Sequence, residues 1–100
     1  MKWDIITVTY NSCEVLKANW SWYRDWSDQI NWIVVDNASH DETVCVAESL
    51  GAKVIKSSKN LGFGSGCNLG FASSELPYVL FANPDLRVKP LDLSKLESTL

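Results

Sequence analysis

One hundred residues, 46% hydrophobic and 21% charged, describe one small globular domain or part of a larger one and exclude a disordered chain. A net charge of −3 excludes a broad nucleic-acid footprint, which needs a basic face, and leaves Lys53, Lys56 and Lys59 as a solvated edge. Three cysteines (Cys13, Cys45, Cys67), odd in number and without C-x-x-C spacing, suggest neither a disulfide framework nor a zinc site, and reduced thiols fit a cytoplasmic protein.

The first segment, Asp4–Tyr10, is rich in β-branched residues and reads as a strand rather than a signal peptide. Asn11 with Glu14 forms a plausible capping arrangement for a helix from about Ser12 to Trp26, with Val15, Leu16, Trp20, Trp22, Tyr23 and Trp26 on its apolar face. That tryptophan stripe is either core packing or, through Trp22 and Trp26, a partner surface. Asn31–Val35 is a second strand ending at Asp36. A polar loop follows, and Ser39 or Asp41 caps a second helix that Gly51 terminates. Lys53–Ser57 is a third strand. Asn60–Gly66 reads as a glycine-rich loop, and Cys67–Ser74 as a short helix stopped by Pro77. Tyr78–Ala82 is a fourth strand, Arg87-Val88 a brief fifth, and Leu91, Leu93, Leu96 and Leu100 mark a last helix after Pro90. Strands alternating with helices predict an α/β fold, a mostly parallel sheet with flanking helices. No run approaches the ~20 apolar residues that span a membrane. The chain stops inside or just after its last helix, without a polar tail, which suggests a piece of a longer protein.

Chemistry concentrates at the strand ends. Asn83-Pro84-Asp85, after an apolar strand, is either a plain turn or the place where an amide and a carboxylate meet a hard cation and a diphosphate. Asp36 is either a turn residue or a hydrogen-bond acceptor for a nucleobase or ribose. The glycine segment Asn60–Gly70 fails both the G-x-G-x-x-G and the P-loop patterns, so it is a flexible turn or a set of bare amides facing a phosphate or sugar. His40 is the single histidine and reads as an exposed loop residue; no serine sits in a nucleophile elbow.

In order, Thr7–Ser12, Val34–Asp41, Asn60–Gly64 with Asn68-Leu69-Gly70, and Leu80–Asp85 resemble family 2 glycosyltransferases of the GT-A fold, in their rhamnosyltransferase-like branch. The resemblance implies a Rossmann-like nucleotide-binding half. Thr9, Tyr10 and Asn11 would line the nucleoside pocket, Asp36 would bind the base, and Gly62, Gly64 and Asn68 would shape the wall along ribose, diphosphate and sugar. Asn83 and Asp85 stand where the family has D-x-D, with Asp85 the expected ligand of a divalent cation (Mg2+ or Mn2+) and Asn83 in place of the first aspartate.

By the same resemblance the donor is a nucleotide-diphosphate sugar, the acceptor a glycan or lipid-linked group in polysaccharide biosynthesis, the transfer inverting, and the place the cytoplasm or its membrane face. The general base and acceptor half are expected beyond residue 100, since Glu97 does not match the base motif. Residues 1–100 are thus read as a single donor domain, inactive alone. The rival readings are a catalytically inactive nucleotide-binding or self-associating module, in which a homo-oligomer is plausible, and a sugar nucleotidyltransferase, whose basic glycine-rich signature Thr9–Ser12 lacks.

Overall fold

The computed structural model describes residues 3–99. Its strands, β1 (Trp3–Thr9), β2 (Ile30–Asn37), β3 (Lys53–Ser57) and β4 (Tyr78–Phe81), carry the β-branched and aromatic runs of the sequence. They pair in parallel in the order β3-β2-β1-β4, with Thr9 opposite Asp36 and Ile6 opposite Phe81. The chain steps outward from β1 to β3 and then returns to the far side of β1. Right-handed crossovers put the connections before and after this reversal on opposite faces, so a crevice opens at the carboxyl ends of β1 and β4.

Parallel strands are apolar on both faces because both are covered. On one face Trp3, Ile5, Ile30, Trp32 and Val34 pack with residues of α1 (Cys13–Asn19), a 3₁₀ helix (Ser21–Trp26), α2 (Thr43–Ser49) and α4 (Pro90–Thr99). On the other, Ile6, Ile33 and Val35 lie with Val8, Ile55 and Val79. This second face is covered by α3 (Gly62–Ala72), whose glycines allow a close approach. A Cβ on Gly66 would lie 2.7 Å from a Val8 methyl, and one on Gly70 would overlap an Ile6 methyl.

Four expectations change. The glycine-rich segment is helical from Gly62 rather than from Cys67, because burial of Gly66 and Gly70 against the sheet outweighs the poor helix propensity of glycine. The first helix breaks at Trp20 and tightens into the 3₁₀ turn. Trp20 stacks on Trp32 (4.5 Å between rings, 8° between planes), while the Tyr23 hydroxyl donates to the Ile30 carbonyl at 2.7 Å and accepts from the Trp32 N–H. Trp22 and Trp26 pack partly buried against that core, as the packing alternative held. Residues 86–89 form no strand; Arg87 instead donates to the Asn19 side chain at 3.1 Å. Gly51 terminates α2 as expected, at φ 102°. Asn11 does not cap α1; its amide oxygen accepts from the His40 N–H.

Asp4 ties the amino end of the sheet to the α3–β4 connection. It accepts from the Asn31 amide, the Ser74 hydroxyl and the N–H groups of Glu75 and Leu76. Burial alone pushes its carboxyl up, but these bonds outweigh burial and hold it below the ordinary value.

Two outcomes follow from this packing. Gly70→Ala is expected to destabilise the fold by about 1–3 kcal/mol through overpacking against Ile6, read from the urea midpoint. A depressed carboxyl stabilises fully above its unfolded value of about 4 and loses that contribution as pH falls through its lower folded value. Wild-type stability should therefore fall on acidification below about pH 4, and Asp4→Ala, weaker at neutral pH, should show a shallower acid limb in urea titrations across pH.

Candidate functional site

The ends of β1 and β2 are laced together by polar side chains. Asp36 Oδ1 accepts from the Thr9 hydroxyl at 2.7 Å and the Ser39 hydroxyl at 2.6 Å, and Oδ2 accepts from the Ser39 N–H at 2.9 Å. Asp36 is 2% exposed. The Asn11 N–H donates to Ser39 Oγ at 2.8 Å, and the His40 N–H returns a bond to Asn11 Oδ1 at 2.8 Å. Asn11 and Ala38 have φ of 49° and 60°, so both loops turn through the left-handed region, which asparagine tolerates best after glycine. Above this lacing Tyr10 is 47% exposed, with the His40 ring edge-on at 6.3 Å.

Neither Ser39 nor Asp41 is the N-cap of α2, which is Glu42; Asp41 stands one residue before it and bonds to the first helical residue. Its carboxylate accepts from the Thr43 hydroxyl, the Thr43 N–H and the Cys13 N–H, and these bonds, the Thr43 hydroxyl first, hold it below the ordinary carboxyl value. Thr43 Oγ1 in turn accepts from the Ser12 N–H at 2.8 Å, so the starts of α1 and α2 are fixed to each other.

On the other side of β1, Asn83-Pro84-Asp85 forms a turn closed by the Leu86 N–H on the Asn83 carbonyl at 3.0 Å. The Trp20 indole N–H donates to the Pro84 carbonyl at 2.9 Å and anchors that turn to the core. Asn83 and Asp85 are exposed. Among the described residues no group of three or more His, Cys, Asp or Glu is gathered to cage a metal. Asn83 and Asp85 offer an amide and a carboxylate oxygen, donors that suit a hard cation completing its shell with phosphate oxygens and water.

The start of α3 supplies the remaining wall. Gly62 has φ 86°, and its N–H donates to Asn60 Oδ1 at 2.9 Å. The Asn37 amide donates to the Gly62 carbonyl at 3.0 Å and ties this turn to the end of β2. Gly62 and Gly64 are exposed, and no atom stands within 4 Å of where their Cβ would be. Asn68 lies exposed further along α3.

Thr9, Tyr10, Asn11 and Asp36 are thus brought into one cluster, Gly62 joins it through Asn37, and Asn83 with Asp85 stand at the neighbouring end of β4. Sequence reasoning missed Asn37 and Trp20 as parts of this framework. The available signal for Asn37 was strand alternation, which turns it to the face opposite Asp36, toward α3. A cavity of about 300 Å³ lies at the other, amino end of the strands, lined by Asp4, Asn31, Lys53, Ser73, Glu75 and Leu76. The Asp4 oxygens there are already taken by four donors, so the chemistry points to the carboxyl ends instead.

The family model described as glycosyl transferase family 2 matches residues 4–100. Among solved structures the chain is similar to S. aureus TarS 1-349 in complex with UDP-GlcNAc, with TM-score 0.88 and 25% identity over 98% of this chain and 30% of that one. It shares its fold with the mannosyltransferase PcManGT from Pyrobaculum calidifontis in complex with GDP-Man and Mn2+, with TM-score 0.77 and 17% identity over 86% of this chain and 28% of that one. It shares it too with glucosyl-3-phosphoglycerate synthase from Mycobacterium tuberculosis in complex with Mn2+, UDP and glucosyl-3-phosphoglycerate, with TM-score 0.74 and 21% identity over 97% of this chain and 38% of that one. The chain spans about a third of the length of these structures.

The anchor on Pro84 is testable. Trp20→Phe keeps most of the ring stack and removes the indole donor; it should cost about 1–2 kcal/mol in urea unfolding and speed hydrogen exchange of the Leu86 amide more than that of core β1 amides.

Proposed function

Because this chain belongs to glycosyl transferase family 2, we propose that the cluster at the carboxyl ends of β1, β2 and β4 is the donor site of a nucleotide-sugar-dependent glycosyltransferase. The observation that carries the reading is the convergence of these residues on the reversal of strand order between β1 and β4, where open α/β sheets bind ligands. The UDP-GlcNAc held by TarS and the GDP-Man held by PcManGT support a nucleotide-sugar as donor.

In this reading Thr9, Tyr10 and Asn11 line the nucleoside pocket, with the exposed Tyr10 ring against the base. Asp36 fixes the loop that presents them, and Oδ2 takes a base N–H beside that of Ser39, within the roughly four acceptor positions of a carboxylate. Gly62, Gly64 and Asn68 face the ribose, diphosphate and sugar, the glycines leaving room for close approach. Asn83 and Asp85 would hold a divalent cation, Mg2+ or Mn2+, as the Mn2+ in PcManGT and the mycobacterial synthase supports. When bound, that ion supplies Lewis-acid stabilisation of the departing diphosphate. Asn83 in place of a first aspartate favours the rhamnosyltransferase-like branch.

The transfer is read as inverting, onto a glycan or lipid-linked acceptor in polysaccharide biosynthesis at the cytoplasmic side; no helix among the described residues is long and apolar enough to cross a membrane. Glu97 is no candidate for the general base. It lines a small cavity with Trp3, Trp26, Gln29 and Ile30, at the amino end of the strands and away from Asp85. The base and the acceptor half are therefore assigned to sequence outside these 100 residues, and the chain alone is expected not to transfer sugar. The same observation favours, as a second reading, a module that binds nucleotide or self-associates without turnover.

Calorimetric titration with UDP, dTDP and GDP, each with and without Mn2+, tests the site. Metal-dependent binding that prefers one base and weakens at least about tenfold in Asp85→Ala is expected. No binding of any of the three would refute a donor site in this chain.

A further inference from the structure

Asn37 ends β2 on the face that α3 covers. It is 2% exposed, yet its Oδ1 is buried without a hydrogen-bond partner among the described residues. A buried acceptor left unsatisfied is costly, and the gain that offsets this cost comes from the other atom of the amide. Its Nδ2 is engaged, donating to the Gly62 carbonyl. The Gly62 N–H is meanwhile held by Asn60, so two asparagines grip one left-handed residue from either side. No side-chain hydrogen bond caps α3 at Leu61. The side-chain bond that fastens the start of α3 to the sheet is therefore that of Asn37.

The adjacent Asp36 turns to the other face and organises the Thr9–Ser39 lacing. Consecutive residues of β2 thus set the two walls of the candidate site independently: Asp36 the loops after β1 and β2, and Asn37 the glycine turn of α3.

We infer that Asn37 is a positioning residue of the donor site, resting on the reading of that site as nucleotide-binding: through its bond to the Gly62 carbonyl it fixes the Gly62–Gly64 turn beside the end of β2. Asn37→Leu is close in size, adds no charge and removes the donor to Gly62. Asn37→Ala removes the whole amide.

The test compares amide exchange along α3 in wild type and both variants, and titrates each with UDP, dTDP and GDP in Mn2+. Ser65 and Gly66 are the first amides of α3 with an acceptor one helical turn back. Their exchange should accelerate about tenfold in both variants while Gly70 and Phe71 change little. The dissociation constant of the preferred nucleotide should rise about tenfold with the melting temperature of Asn37→Leu held near that of wild type. Unchanged exchange at Ser65 and Gly66, acceleration spread evenly over α3, or undiminished nucleotide binding by both variants would overturn the inference. If wild type binds no nucleotide, the donor-site reading fails, and the assignment of Asn37 to that site falls with it. Should Asn37→Ala not fold, Asn37→Leu decides by the same readouts.

Discussion

The close contact of α3 with the sheet governs how this chain is arranged. Gly66 and Gly70 are one helical turn apart, and the bare backbone they expose lies on Ile6 and Val8 where any Cβ would collide. That contact seals the second face of a parallel sheet, without which the apolar side chains of Ile6, Ile33 and Val35 would face water. It also fixes the axis of α3, and so brings Gly62 to the end of β2. Apolar packing thus sets the general position of the crevice wall before any polar bond refines it.

Within the crevice, polar bonds do the finer placement. Asp36 holds Thr9 and Ser39, Ser39 holds Asn11, and Asn11 holds His40, so two left-handed loops support each other rather than flexing separately. On the other side of β1 the placement comes from the aromatic core, through the Trp20 indole on Pro84. The framework groups Thr9 and Asp36 are buried, while Tyr10, Gly62, Gly64, Asn83 and Asp85 remain exposed. Such a division suits a binding surface, because buried groups hold the exposed ones in place before a ligand arrives.

Much of this was legible in the residues. The four main strands and the fold class follow from apolar runs punctuated by turn residues, and the strand-end motifs are where the polar clusters stand. Legibility failed where tertiary contact overrode local preference. Glycines at Gly62–Gly66 look like a loop until the sheet they rest on is known, since what favours the helix there is a contact with β1, remote in sequence. The apolar periodicity from Val15 to Trp26 reads as one helix because Trp20 and Tyr23 each look helical, yet Trp32 and Ile30, distant along the chain, decide their orientation. The role of Asn37 was hidden for the same reason: its partner, Gly62, is a backbone carbonyl that no motif marks.

The Trp20–Trp32 stack has an optical consequence. Two indoles nearly parallel at 4.5 Å couple their electronic transitions, so the chain carries an exciton pair in the near ultraviolet. One ring of that pair is hydrogen-bonded to the turn that bears Asn83 and Asp85. A movement of that turn that shifts the Trp20 ring would therefore change the circular dichroism of the tryptophan bands, from chromophores the protein already contains and without any label.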